Sequence, residues 1–294
     1  MNSDPLNPST VPRSGLFTPE SVSWAVHADP SMVLGGLRAL FLQALHPLAM
    51  AGVAQHSAFR EDPWGRLYRT AHFIGAVTYG TGGEVREAVD RVRRAHVHVR
   101  GTDPQTSVPY RADDPDLLVW VHCAEVGSFL EAARRSGLAL SAVEADTYLA
   151  EQSLVARLVG VPEDYPVPSN TEDLDSYMTA VRPVLRATPA AREAMRFAAL
   201  PPLHGWALLA TPLCPAWATL VGCAIGLLPS WARRMYGLPG WPATDHLATM
   251  QAKLLRQTAL RLPSSWREGP HLTAARRRHA PDLWTAAAPS PQGS

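Results

Sequence analysis

Cysteine is scarce in this chain. Cys123, Cys214 and Cys223 are the three present in 294 residues, too few and too widely spaced for a disulfide framework or a structural zinc site, so a reducing compartment is expected. Charge is scarce as well: Asp, Glu, Lys and Arg make up 18% of the chain and the formal net charge is +1. With no basic stripe, nucleic acid is excluded as a partner. There is no nucleotide-binding glycine loop, HExxH, serine nucleophile elbow or CxxC. The pairs Gly35-Gly36 and Gly82-Gly83 fall at or within helical patterns and read as close-packing or capping positions. The first residues, MNSDPLNPSTVPRSG, offer neither a basic start nor an apolar run, so no signal peptide is expected and the location inferred is cytoplasmic.

What is present is helical punctuation. Asp29-Pro30, Asp62-Pro63 and Asp114-Pro115 each place a capping side chain before a first-turn proline. Thr81 with Glu84, and Ser141 with Glu144, form capping boxes. No stretch alternates as a strand would, and 46% hydrophobic residues are enough for one large core. The expected fold is all-α: a single bundle-like domain over residues 16–279, between disordered tails at 1–15 and 280–294. A long helix should start at Pro30 and kink at Pro47, leaving the carbonyl near Gln43 without its usual partner. Helices should follow from Asp62 to Tyr79, from Thr81 to a stop at Gly101, and from Pro115 to Gly137; Tyr110 and Arg111 lie in a polar loop that can fold over the bundle end. The final amphipathic helix is expected around His246 to Leu262. Between Phe197 and Trp231 the only residue able to carry charge is His204, and five prolines divide the segment. It reads as helices covering an apolar pocket, with transient attachment to a membrane surface as the alternative.

Several polar residues fall on faces that are otherwise apolar. Val85, Val89, Val92, His96 and Val99 recur at spacings of four and three, so His96 points with the valines, whereas His98 falls with Arg91 and Arg94 on the charged side. His96 is therefore either a satisfied core residue or a ligand for something bound in the core. On the preceding helix Arg66, Thr70, Phe73 and Val77 form one stripe, flanked by Arg69 and His72. Arg66 and Thr70, one turn apart, can hold an anionic or oxygen-bearing ligand, cap a neighbouring helix or pair with a buried carboxylate. The short connection makes the two helices antiparallel neighbours and brings His96 level with Arg66, Arg69 and Thr70. His46, beside Pro47, marks a second place where a site could form. His122 and Glu125 share a side with Leu118 and Phe129, as a proton relay or a structural tie.

Four segments then carry a resemblance: HADPSMVLGGLRALFLQALHPLAMAGVAQHSAFREDPWGRLYRTAHF, VRRAHVHVRGT, LLVWVHCAEVGSF and RRMYGLPGW. In order and spacing they resemble the family of helical haem proteins named for the MpaB oxygenase, which includes the catalytic domain of the latex-clearing rubber oxygenases. The resemblance runs from about Ser21 to Arg278. It implies a b-type haem (iron protoporphyrin IX) held without covalent attachment, with His96 as the metal ligand. Arg66 and Thr70 match the first and last residues of the family's arginine, lysine and threonine motif. At the lysine position, which can supply a sixth iron ligand in those enzymes, this chain has Arg69; arginine stays protonated and is a poor metal ligand. Phe73, Val92 and His46 are then candidate walls of the haem site, and Arg66, Arg69 or Arg111 candidate partners for the propionates. The activity implied is oxidation of an apolar or aromatic small molecule by dioxygen or peroxide, with an electron donor as a further partner and His122 and Glu125 delivering protons. Two alternatives stand beside it: haem binding or gas sensing without turnover, and a cofactor-free scaffold in which His46, His96 and His122 are core residues.

Overall fold

Helix starts fall at the expected caps Asp62, Thr81, Asp114 and Ser141, whereas Asp29 ends one helix and the next begins at Met32 rather than at Pro30. In the computed structural model, which describes residues 7–57, 60–199 and 213–279, fourteen α-helices occur among the described residues. In chain order these are α1 (Val22–Ala28), α2 (Met32–Gln43), α3 (Pro47–His56), α4 (Pro63–Tyr79), α5 (Gly82–His98), α6 (Pro115–Arg135) and α7 (Ala142–Val159). They continue with α8 (Thr171–Val181), α9 (Pro189–Ala199), α10 (Leu213–Gly226), α11 (Ser230–Met235), α12 (Pro242–Leu260), α13 (Ser264–Arg267) and α14 (Pro270–His279). The Asp62 carboxylate accepts from Gly65 N at 2.8 Å, and both capping boxes form as read. The chain is mainly helical, as expected.

The core forms where α2 lies along α6. Leu37, Phe41, Leu42 and Leu45 pack with Trp120 and Ala124, and Gly35 lets α2 approach so closely that an added Cβ would stand 2.8 Å from the Phe129 ring. A second cluster joins α1, α6 and α7 through Val26, Val126, Tyr148 and Leu149. Residues 7–15, expected to be loose, instead pack on the bundle. Val11 is buried against the cluster that holds Val85 and Val89, and Arg13 O accepts from Gly82 N at 3.1 Å. Residues 1–6 and 280–294, and with them the expected tails' ends, lie outside the described residues, as does His204.

Three expectations need correction. The kink at Pro47 is a full break: α2 and α3 diverge by 103°, and His46 is extended (φ −82°, ψ 116°) as the N-cap of α3. As expected, the Gln43 carbonyl lacks its usual partner, since Pro47 has no N–H; it accepts instead from the Trp120 indole at 3.1 Å and from His46 N at 3.2 Å. Helix α5 ends at His98 rather than at Gly101, because Gly101 belongs to β1 (Arg100–Thr102), which pairs antiparallel with β2 (Pro109–Arg111) and sets Gly101 opposite Tyr110. Finally α12 is not the last helix. After it, α14 lies along α4, where a Cβ on Gly75 would meet the His271 ring at 2.8 Å. No single helix among the described residues is long and apolar enough to cross a membrane.

Candidate active site

Helices α2 to α7 and α9 surround a cavity of about 510 Å³. On the α4–α5 side its wall includes Arg66, Arg69, Thr70, Phe73, Val92 and His96; on the α6 side, Val121, His122 and Glu125. Helices α4 and α5 pack against each other, and polar groups of both line the same cavity. The α5 stripe changes character along its length. Val85 and Val89 are fully buried in the core, while Val92, His96 and Val99 are half-buried and face the cavity; His98 is exposed.

His96 is held neutral. Burial pushes its pKa down, opposed by the Asp113 carboxylate, and its Nδ1 is buried without a hydrogen-bond partner among the described residues. Arg66 donates to the Ser57 hydroxyl, and Thr70 Oγ1 donates to Arg66 O at 3.1 Å. Burial, then the like charge of Arg69, lowers the Arg66 pKa, and no carboxylate pairs with Arg66 among the described residues. Arg69 is more exposed, at the rim, 3.3 Å from Asp62.

On the opposite wall His122 is buried, its pKa pushed down to about 4 by desolvation and further by Arg157, with Nε2 unpartnered. Glu125 keeps some surface, but that surface opens into the cavity rather than to bulk water. Desolvation therefore raises its carboxyl to about 7, opposed by a hydrogen bond from Gln43. His122 and Glu125 share the cavity, yet no hydrogen bond joins them among the described residues.

Two residues named from sequence stand apart. His46 does not line the cavity; its ring lies 6.0 Å from that of Trp120, tilted by 41°, with Nδ1 buried and unpartnered. Arg111 is exposed on β2, with Nε and one terminal nitrogen each 2.9 Å from Asp113. The hairpin turns its neighbour Tyr110 inward instead, where its hydroxyl donates to Gln55 Oε1 at 2.8 Å. Conversely, sequence reading missed Gln43, His56 and Ser57 as wall residues, along with Met195 and Phe197 of α9. A glutamine within the apolar α2 was the one available signal. The α9 residues carried none, since nothing local says which cavity an amphipathic helix covers.

Fold and site together define a mainly helical protein with a mostly apolar cavity furnished with neutral histidines, a carboxyl raised to about 7 and, among the described residues, an arginine without a carboxylate partner. The family described as "ER-bound oxygenase mpaB/B'/Rubber oxygenase, catalytic domain" matches residues 24–261, and the chain belongs to that family. Its fold is similar to that in "Structure of Latex Clearing Protein LCP in the closed state", with a TM-score of 0.59 and 18% identity over 87% of this chain and 72% of that one. No protein with a curated description matches the chain.

Proposed function

We propose that this chain is a haem-dependent oxygenase that oxidises an apolar or aromatic small molecule with dioxygen or peroxide. The observation that carries this reading is the meeting of His96, Arg66, Arg69 and Thr70 in the wall of one mostly apolar cavity. Its volume of about 510 Å³ falls in the range of roughly 300–1,000 Å³ usual for small-molecule and cofactor sites. Among the described residues no group of three or more His, Cys, Asp or Glu side chains could hold a bare metal ion. A macrocycle that brings its own four nitrogens needs only an axial ligand from the protein, and the neutral imidazole of His96 suits that role. The propionates need cations, and Arg66 lacks a carboxylate partner among the described residues while Arg69 sits at the rim.

Haem, when bound, supplies the dioxygen chemistry and the electron transfer. The protein supplies the surroundings. Phe73, Leu67, Val92, Met195 and Phe197 keep water out and present an apolar face to the substrate. Thr70 has lone pairs free after donating to Arg66 O, so with Arg66 it can orient an oxygen-bearing group. Glu125 is the proton-exchanging group: near pH 7 both of its forms are populated, whereas His122 stays neutral and serves as an acceptor.

Freshly purified protein is expected to show a haem Soret band that His96→Ala abolishes or strongly shifts. An unchanged spectrum in that variant would remove His96 as the ligand. Oxygen consumption with apolar substrates separates turnover from binding alone.

A further inference from the structure

Helix α12 is amphipathic in the reverse of the usual sense. Its inward face carries small residues, Ala248 (4% exposed) and Ala252 (0%), because α10 crosses so close that a Cβ on Gly226 would stand 2.7 Å from that of Ala248. Leu255 packs beside them, but three other large apolar residues point out: Leu247, Met250 and Leu254 are 68%, 71% and 64% exposed. Spacings of three and four put them on one stripe. Trp241, just before the helix, and Trp266, in α13, are 69% and 80% exposed, so an exposed indole precedes α12 in the chain and another follows it. A contiguous set of this kind is not what a solvated helix face presents.

The charges beside the stripe are of one sign. By helix geometry Lys253 flanks it, and Arg261 continues it two turns beyond Leu254. Between Trp241 and Arg267 the single acidic residue is Asp245, and it is tied to Arg233 at 2.9 Å. A cleft opens along this flank, lined by Met250, Lys253, Arg38 and Arg135 together with Glu131 and Asp245. Glu131 stands 3.7 Å from Arg135 and also acts on the buried Arg38, whereas the exposed Lys253 forms no ion pair among the described residues. Arg38 gives Nε to Leu227 O and one terminal nitrogen to Ser128 Oγ, at 2.9 and 2.7 Å. The Glu131 carboxylate in the same cleft partly offsets its charge against the cost of burial, so the cation of the cleft that faces solvent is Lys253.

We infer that α12 and the adjoining cationic cleft form a docking face for a bilayer surface containing anionic lipid, with the apolar stripe entering the acyl boundary and the cleft facing headgroup phosphates. Tryptophan at the ends of an apolar stretch, with lysine and arginine alongside, is the composition that interfacial helices use. A second copy of the chain would set the flanking cations of one helix against those of the other, so charge favours the bilayer. This face is separate from the α4–α5 cavity wall, and the inference stands independently of the haem reading.

The test is co-sedimentation of the full chain with phosphatidylcholine vesicles and with phosphatidylcholine–phosphatidylserine vesicles, with tryptophan emission read alongside. Binding should favour the mixed vesicles, shift the emission to the blue and weaken in high salt. The L247Q/M250Q/L254Q variant, which changes only exposed positions to another good helix former, should partition about tenfold more weakly or worse. K253E/R261E should weaken binding to the mixed vesicles by about tenfold or more and leave the weak binding to phosphatidylcholine unchanged. It decides the matter even if the triple variant unfolds. Wild-type protein that stays in the supernatant with mixed vesicles would overturn the inference, as would unaltered binding by a folded triple variant. A concentration-dependent dimer that the triple variant abolishes, without vesicle recruitment, would assign the face to a second copy instead.

Discussion

Glu125 shows how one side chain is set by its surroundings. Desolvation in the cavity raises its pKa from 4.5 to about 7, so the folded chain holds this proton more tightly than the unfolded chain does. Stability is therefore lost as pH rises from about 4.5 to about 7, where burial of the ionised form is unfavourable. Glu125→Gln is neutral throughout and should be more stable than wild type at about pH 8 by roughly 1–3 kcal/mol. The difference should vanish below about pH 4.5, as read by urea unfolding. An advantage that does not depend on pH would mean that Glu125 is not desolvated in this way. At this scale the phase of α5 was legible: His96 faces the cavity and His98 the solvent, as the spacing of the valines requires. The placement of Arg111 was not. Asp113, two residues on, holds it outside, whereas Arg66 has only the Ser57 hydroxyl and stays at the wall.

Among elements, the glycine pairs separate close approach from open space. A Cβ on Gly35 would meet Phe129 Cδ1 at 2.8 Å and Phe129 Cα at 3.0 Å, so Gly35→Ala should force α2 and α6 apart and cost about 1–3 kcal/mol. Gly82 at the start of α5 is equally constrained, since a Cβ would lie 2.1 Å from the Pro12 carbonyl oxygen. Its neighbour Gly83 has nothing nearer than 3.9 Å, and Gly83→Ala should be neutral or stabilise by up to about 1 kcal/mol through helix propensity. Denaturant midpoints of the three variants check the order; equal losses at Gly82 and Gly83 would contradict the packing of residues 7–15 on α5. Helix starts at Pro63, Gly82, Pro115 and Ala142 were all legible, because a cap acts within one turn of the residue that supplies it. The 103° break at His46, the Gly101–Tyr110 pairing and α14 were not. Each depends on a surface from elsewhere in the chain: Trp120 for the break, Gln55 beneath Tyr110, and α4 beneath α14.

Across the whole molecule, buried neutral histidines oppose Glu125. His27 accepts no charge between Thr78 Oγ1 and Tyr148 Oη, at 2.8 and 3.0 Å, and burial lowers its pKa to about 3; that of His122 falls to about 4. Both folded-state values lie below 6.5. As pH falls below about 6.5 the unfolded chain takes up protons that the folded chain refuses, and stability declines until those groups titrate near 4 and 3. His46 and His96 act in the same direction. Between about 4.5 and 6.5 these groups outweigh the single carboxyl, and above about 6.5 Glu125 alone turns the slope downward. Thermal stability should therefore peak near pH 6.5, and a melting temperature that rises steadily on acidification to about pH 5 would refute this balance.

The sequence alone determined the helical class, most helix starts, the phase that aims His96 inward and the cavity wall it shares with Arg66 and Thr70, all of which follow from interactions within a few turns and one short connection. Its segment order was also sufficient to reveal the family. Only the tertiary structure decided that α2 and α3 diverge, that α9 helps close the cavity and that α12 buries Ala248 and Ala252 and exposes Leu247 and Leu254. A stripe of apolar residues records that a face can be buried. Whether it is buried, and against what, depends on how closely distant helices approach, and at α12 the approach of α10 at Gly226 turned the small residues inward.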